Sequence, residues 1–323
     1  IMTGAPVPHG ADTIIRVEDT DREVEPGRVS ILTDRDLGRH VRAAGQDMRA
    51  GTTLLPAGRA VTPGVVGVLA ASGKAEVAVH GRPTVAILST GDELRSADRY
   101  DDVRRGAGVP ESNGPMLASM VRAIGGTPLP LGIADDDLDA LKAKLKAGHD
   151  ADVLVTIGGA SMGEADLVKR ALDEMGFELD FWRARMRPGS PISFGWLRHG
   201  ERRQAVFGLP GNPSSAFVTF ELFVRPHVLR LAGHARVRRR TVPCIATERF
   251  DTPAQLTYFQ RVRVGSDDGR LTASLTGPQL SGLVRGLAHA DGLAVVTPER
   301  ASVEPGEAVD VILLDTGPAV HAE

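Results

Sequence analysis

The chain has 323 residues, 42% of them hydrophobic and 24% charged, and a formal net charge of −3. That is room for two or three compact domains of ordinary globular composition, and the small net charge and 4% aromatic content argue against a nucleic-acid surface or a base-stacking platform. A single cysteine, Cys244, excludes an intrachain disulfide and a cysteine-built metal site; no apolar run reaches the roughly 18 residues of a membrane span and no signal peptide is visible, so the expected setting is a reducing cytoplasm.

The opening Ile1-Met-Thr-Gly-Ala-Pro-Val-Pro8 reads as the end of a strand entering a turn. It creates the expectation that an N-terminal segment is missing from this sequence. Short strands are predicted at 13–18, 28–32 and 38–42, separated by turn residues. Asp47 falls in the polar turn 45–51, where an Asx turn is its default role. Residues 53–55 and 61–72 form a connector in which Val65, Val66, Leu69 and Ala70 have helical spacing. Another strand is predicted at 75–80, and Gly81-Arg-Pro83 marks a boundary.

From residue 84 strands and helices alternate: strand 85–88, helix 113–124 capped by Asn113, strand 129–133, a helix opened by the acids at 135–137, strand 152–157 and a helix from 166 to 175. Alternation of this kind implies a parallel sheet with right-handed crossovers and ligands at the C-terminal strand ends. Strands near 180–187 and 192–196 follow. Ala205-Val-Phe207 then leads through Gly208-Leu-Pro-Gly-Asn-Pro213 into a helix from 214 to 231. Residues 236–240 read as an exposed linker, and the rest as a small all-β domain. The expected organisation is a partial β-rich lobe (1–50), a connector (51–81), an α/β domain (82–235) and a C-terminal β domain (236–323).

The most informative stretch is Gly158-Gly-Ala-Ser-Met-Gly-Glu-Ala-Asp166, which joins an apolar strand to a helix. Small residues at Gly158, Gly159, Ser161 and Gly163 allow close backbone approach, and a helix N-terminus favours phosphate. Glu164 and Asp166 at the same mouth would repel a bare phosphate but suit a metal-bridged ligand or proton transfer. The Gly211-Asn-Pro213 turn, stiffened by Pro210 and Pro213, is a second strand-to-helix turn of this kind, with a purely structural turn as the alternative. Arg183, Arg185 and Arg187 alternate along one predicted strand and so share a face, calling for an anion; an edge strand guarded by cations is the alternative. Asp92 and Glu93 follow a strand end and could bind Mg²⁺ or serve as a cap. Asp136 is either a first-turn helix charge or a site residue.

Taken in order, Met2-Thr-Gly-Ala-Pro-Val-Pro8, Ser89-Thr-Gly-Asp-Glu-Leu94, the 158–166 turn, Arg187-Pro-Gly189 and Gly208-Leu-Pro-Gly-Asn-Pro213 resemble the molybdopterin molybdenumtransferases, the family of bacterial MoeA and of the E domain of gephyrin. The resemblance covers essentially the whole chain. It implies a three-layer α/β molybdopterin-binding domain flanked by a β-rich lobe with connector and a C-terminal β domain. It implies insertion of molybdate into adenylyl-molybdopterin with Mg²⁺-dependent release of AMP. Carried over by motif, the site residues are Thr3, Asp47, Glu93, Asp136, Asp166, Pro210 and Pro213, with Ser281 in the loop 277–282 as an additional candidate and Glu93 and Asp166 as Mg²⁺ ligands. Family members often have lysines where Arg183, Arg187 and Ser190 stand. The resemblance further implies a homodimer and an upstream molybdopterin adenylyltransferase as partner; from charge and composition neither nucleic-acid nor membrane binding is expected. The competing readings are that adenylyltransferase activity itself, or a non-catalytic gephyrin-like scaffold.

Overall fold

The computed structural model describes residues 1–158, 167–253 and 255–314. The chain divides into two units, Ile1–Pro56 with Val61–Ala75, and Ala57–Ala60 with Glu76–Glu323.

In the first unit the strands expected at 13–18, 28–32 and 38–42 are not formed. Within residues 1–56 the regular structure is a 3₁₀ turn, Val17–Asp19, and the isolated bridges Thr20–Ile31 and Glu25–Arg28. The reason is visible in burial: Val24, Val29, Ile31, Leu32 and Leu37 are all exposed. A short ribbon without a covered apolar face does not hold strand geometry. The loops are instead tied by buried acids. Asp19 accepts from Arg35 (Nε to Oδ2, 2.9 Å), and Asp36 accepts from Arg16 (Nε to Oδ2, 2.9 Å) and pairs with His40 at 3.1 Å. The Arg16 hydrogen bond holds the Asp36 carboxyl far below the usual carboxylate range. The connector helix is present as α1, Pro63–Ala71, with Pro63 in its first turn and the Thr62 hydroxyl accepting the Val65 N–H.

The predicted strand at 75–80 is also absent, and the second unit's regular structure begins at β1, Thr84–Thr90. There follow β2 (Leu94–Arg95), α2 (Tyr100–Arg104), β3 (Val109–Pro110), α3 (Asn113–Ala123), β4 (Thr127–Ala134), α4 (Leu138–Ala147), β5 (Val153–Ile157), α5 (Leu167–Glu174), β6 (Glu178–Trp182), β7 (Met186–Arg187), β8 (Ser193–His199) and β9 (Arg202–Leu209). A continuous helical run then passes through α6 (Pro213–Thr219), a π turn (Phe220–Val224) and α7 (Arg225–Leu231).

The main sheet has the order β4-β1-β5-β9-β8-β6; β4, β1, β5 and β9 are parallel, and β8 is antiparallel to both β9 and β6. Period-2 alternation sends Val85 and Ile87 of β1 to one face and Ala86 and Leu88 to the other. The first face packs against Leu117 and Val121 of α3 and Val228 of α7, the second against Leu141 and Leu145 of α4 and Leu172 of α5. Helices on both faces make the expected three layers.

The C-terminal part contains β10 (Thr241–Ala246), β11 (Phe250–Asp251), β12 (Thr257–Asp267), β13 (Arg270–Leu275), β14 (Gly292–Val296), β15 (Ser302–Val303) and β16 (Ala308–Leu313). The order β13-β10-β16-β14-β12, with β12 also paired to β13, closes a small barrel around Phe250, Val262, Val296 and Val311. Cys244 is buried in that core.

Two local expectations fail here. The strand predicted through 187 ends at Trp182, because Arg183 adopts a left-handed backbone (φ 73°). The chain resumes as β7, which pairs in parallel with β12 of the barrel (Met186 with Thr257, Arg187 with Tyr258). The three arginines therefore do not share one strand face. The linker 236–240 is not uniformly solvated either: Arg239 donates to the buried Glu221 at 2.7 and 3.1 Å. Among the described residues no helix is long and apolar enough to cross a membrane.

Candidate functional site

The C-terminal ends of β1 and β5, with the loops after β4 and β9, surround a cavity of about 810 Å³. Its wall includes Thr90, Glu93, Glu111, Asn113, Asp136, Gly158, Gly211, Asn212 and Pro213, and the barrel contributes Gly282 and Val284. This is where a parallel sheet places a ligand.

Close packing at the strand ends explains two glycines. Gly91 has φ 140°, and a Cβ there would lie 2.6 Å from the Glu93 carboxylate, so that side chain folds against bare backbone. At Gly158 (φ 91°) a Cβ would lie 2.7 Å from Thr90 Oγ1 and 2.9 Å from the Thr90 carbonyl. The Gly158 N–H already donates to the Leu209 carbonyl at 3.0 Å, so it joins neighbouring strand ends rather than offering itself to phosphate. The rest of the expected cradle, Gly159, Ser161 and Gly163, together with Glu164 and Asp166, lies outside the described residues.

The other candidates separate. Glu93 and Asp136 are at the cavity wall, and the Asp92 carboxylate accepts the Asp136 N–H at 2.8 Å, linking the loops after β1 and β4. Asp137, next to it, caps α4 by accepting the Ala140 N–H at 2.8 Å. Pro210 is buried behind the turn whose Gly211, Asn212 and Pro213 line the cavity. Ser281 acts through its backbone: its carbonyl accepts the N–H of Ser214, in the first turn of α6, at 3.0 Å. The Ser214 hydroxyl donates to the Leu283 carbonyl at 2.8 Å. The barrel loop thus caps α6 and uses one of the donors that an anion would otherwise meet there. Arg183 and Arg187 are not on this wall. Arg183 stacks on the Trp182 ring at 4.1 Å, and Arg187 borders a separate cavity of about 230 Å³ with Tyr258 and Gln260. Thr3 and Asp47 are exposed turn residues of the first unit.

Sequence reasoning missed a group at the start of α3. Asn113 does not cap this helix; the helix starts at it, after Ser112. Its Nδ2 donates to the Gly211 carbonyl at 2.6 Å, and its Oδ1 is buried with no hydrogen-bond partner among the described residues. A desolvated acceptor left unpaired costs about 1–3 kcal/mol, so a donor arriving in the cavity would be favoured at this point. Beside it, one Glu111 oxygen accepts from Ser89 Oγ (3.0 Å) and the Gly114 N–H (2.6 Å). The available signal was the polar Glu111-Ser-Asn113 triplet at a strand-to-helix junction on the ligand-binding edge.

As for a metal, no group of three or more His, Cys, Asp or Glu side chains among the described residues could hold an ion. The carboxylates on the wall do not by themselves make a resident Mg²⁺ site.

Comparison with known proteins agrees with this architecture. Residues 1–73 match the MoeA N-terminal region (domains I and II), 86–230 a probable molybdopterin binding domain, and 243–314 the MoeA C-terminal region (domain IV). The molybdopterin molybdenumtransferase of Bacillus subtilis strain 168 is 34% identical over 317 residues, covering 97% of this chain and 72% of that protein. Molybdopterin molybdenumtransferase 2 of Mycobacterium tuberculosis H37Rv is 36% identical, covering 96% and 76%. The crystal structure of the molybdopterin biosynthesis MoeA protein of Pyrococcus horikoshii OT3 shares the fold, with a TM-score of 0.74 at 24% identity over 97% of this chain and 74% of that one. The chain belongs to the MoeA family, the molybdopterin molybdenumtransferases.

Proposed function

We propose that this chain inserts molybdate into adenylylated molybdopterin and releases AMP, giving molybdenum cofactor. The observation that carries the reading is the composition of the cavity wall: Glu93 and Asp136 from the sheet, Gly211 to Pro213 from the turn after β9, and Gly282 and Val284 from the barrel. A wall completed by the barrel favours the transferase over a bare molybdopterin adenylyltransferase, the runner-up. The relatives named above, matched along almost the whole chain, point the same way.

In this reading the turn at Gly211 receives the phosphate-bearing part of the substrate. Replacing oxo groups on molybdate by sulfur requires protons, and we assign Glu93 and Asp136 to that traffic, with Asp166 as a further candidate. Arg183 and Arg187, off the main wall, are proposed to collect molybdate before transfer. Thr3, Asp47, Pro210 and Ser281 are retained as proposed site residues. Mg²⁺ is proposed to arrive with the substrate phosphates, meeting Glu93 and Asp166, since the described carboxylates do not assemble a site without it. A homodimer, a cytoplasmic setting and an upstream adenylyltransferase that supplies the substrate complete the proposal.

The test supplies the purified protein with adenylyl-molybdopterin, Mg²⁺ and molybdate and follows AMP. Release above a no-protein control is expected, with a reduced rate in Glu93→Gln. No AMP above the control defeats the proposal, and formation of adenylyl-molybdopterin from molybdopterin and ATP without molybdate transfers it to the runner-up.

A further inference from the structure

We propose that Glu111, backed by Asn113, reads the amino-amide edge of the pterin ring. This inference rests on the molybdopterin reading of the cavity and goes beyond it by naming the residues that recognise the ring.

The argument begins with how Glu111 is held. Strands β2 and β3 pair so that the Val109 N–H donates to the Glu93 carbonyl at 2.8 Å and the Glu111 N–H to the Arg95 carbonyl at 2.7 Å. That pairing brings Glu93 and Glu111 to the same cavity wall. Glu111 Oε1 is then fixed by two donors, the Ser89 hydroxyl and the Gly114 N–H. Gly114 leaves room for it: a Cβ there would stand 3.1 Å from Oε2. The carboxylate is thereby oriented before any ligand arrives, while Oε2 takes no hydrogen bond from a described residue.

Asn113 supplies the second observation. It is 8% exposed, and its bond to the Gly211 carbonyl settles which end of the amide is nitrogen. The other end, Oδ1, is an acceptor with no donor among the described residues, in a residue that borders the cavity. This end of the cavity therefore offers acceptors and asks for donors.

The substrate has one donor-rich edge. The 2-amino-4-oxopyrimidine ring of a pterin carries an amino group beside a ring N–H, two adjacent donors that call for acceptors, of which Glu111 Oε2 and Asn113 Oδ1 are the open ones at this end of the cavity. Phosphate and molybdate are excluded from such a place by charge. Adenine is a poorer match, since its amino group stands beside a ring-nitrogen acceptor that a carboxylate repels.

The experiment measures binding of molybdopterin and of AMP, separately and anaerobically, to the unaltered chain and to Glu111→Gln. The glutamine keeps an oxygen for Ser89 and Gly114 but turns a donor towards the ligand. A loss of about tenfold or more in molybdopterin affinity is expected, with AMP affinity and melting temperature unchanged. A competition series on the unaltered chain compares 6-hydroxymethylpterin with its 2-desamino counterpart, and only the first should compete well; this arm stands even if the variant does not fold. Equal molybdopterin affinity in the variant, equal competition by the two pterins, an AMP loss as large as the molybdopterin loss, or no molybdopterin binding by the unaltered chain would each overturn the assignment. Absence of AMP release from adenylyl-molybdopterin, with pterin discrimination intact, would instead defeat the transferase reading and leave this one standing.

Discussion

Gly158→Ala is the sharpest probe of how the strand ends are built. Gly158 combines a left-handed backbone (φ 91°) with a Cβ position 2.7 Å from Thr90 Oγ1 and 2.9 Å from the Thr90 carbonyl. The left-handed region costs a non-glycine residue about 1–2 kcal/mol, and forcing a methyl into packed surroundings adds about 1–3 kcal/mol. For a unit of this size the expected fall in melting temperature is roughly 5–15 °C, measured by circular dichroism or calorimetry. Adding Thr90→Ala removes the hydroxyl but not the carbonyl, so the double variant should recover only part of the loss. Because Gly158 and Thr90 both line the cavity, ligand affinity should fall with stability in the single variant. An unchanged melting temperature in Gly158→Ala, or full recovery in the double variant, would refute the reasoning.

Further outcomes follow from the buried polar groups. Arg239→Met takes the bidentate partner from the buried Glu221 and leaves it Arg225, 3.7 Å away, with an expected loss of about 1–3 kcal/mol in urea unfolding; a neutral variant would show that the Arg239 bonds carry no weight. Burial pushes His227 below its ordinary value of 6.5. The unfolded chain therefore binds the proton first as pH falls, so stability is lost below about pH 6.5. His227→Phe should flatten that part of the pH–stability curve, and an unchanged slope would count against it. Ser214→Ala removes the donor to the Leu283 carbonyl and should cost about 1–2 kcal/mol, read as faster hydrogen exchange in the first turn of α6; exchange at the native rate would show that the clamp is dispensable.

The α/β core was legible because buried parallel strands announce themselves. Residues 85–88, 153–157 and 205–207 are uninterrupted apolar or small stretches, and in the structure they are covered on both faces. The lobe departs from its sequence pattern for the converse reason. Alternation at 28–32 predicts a strand, but a strand also needs a neighbour, and Ile31 and Leu32 are left exposed. The arginine stripe failed at one residue: period-2 reasoning holds only while the strand continues, and Arg183 breaks it. Glu93, Asp136 and Gly158 lie on the cavity wall because each stands just after a strand, a position legible in the sequence. Asn113 has the pattern of a cap in the sequence because its actual partner, Gly211, is 98 residues away, and no local pattern encodes that bond.

The Ser214–Ser281 bond bears on how freely this protein can be dissected. A chain cut after Leu231 would retain every strand of the six-stranded sheet, yet the first turn of α6 would surrender both its backbone and its hydroxyl partner. The barrel is thus not a passenger that can be exchanged at its linker. A transplanted replacement would have to present a carbonyl at the position of Ser281 and another at that of Leu283, or the graft would begin with a frayed helix at the mouth of the cavity.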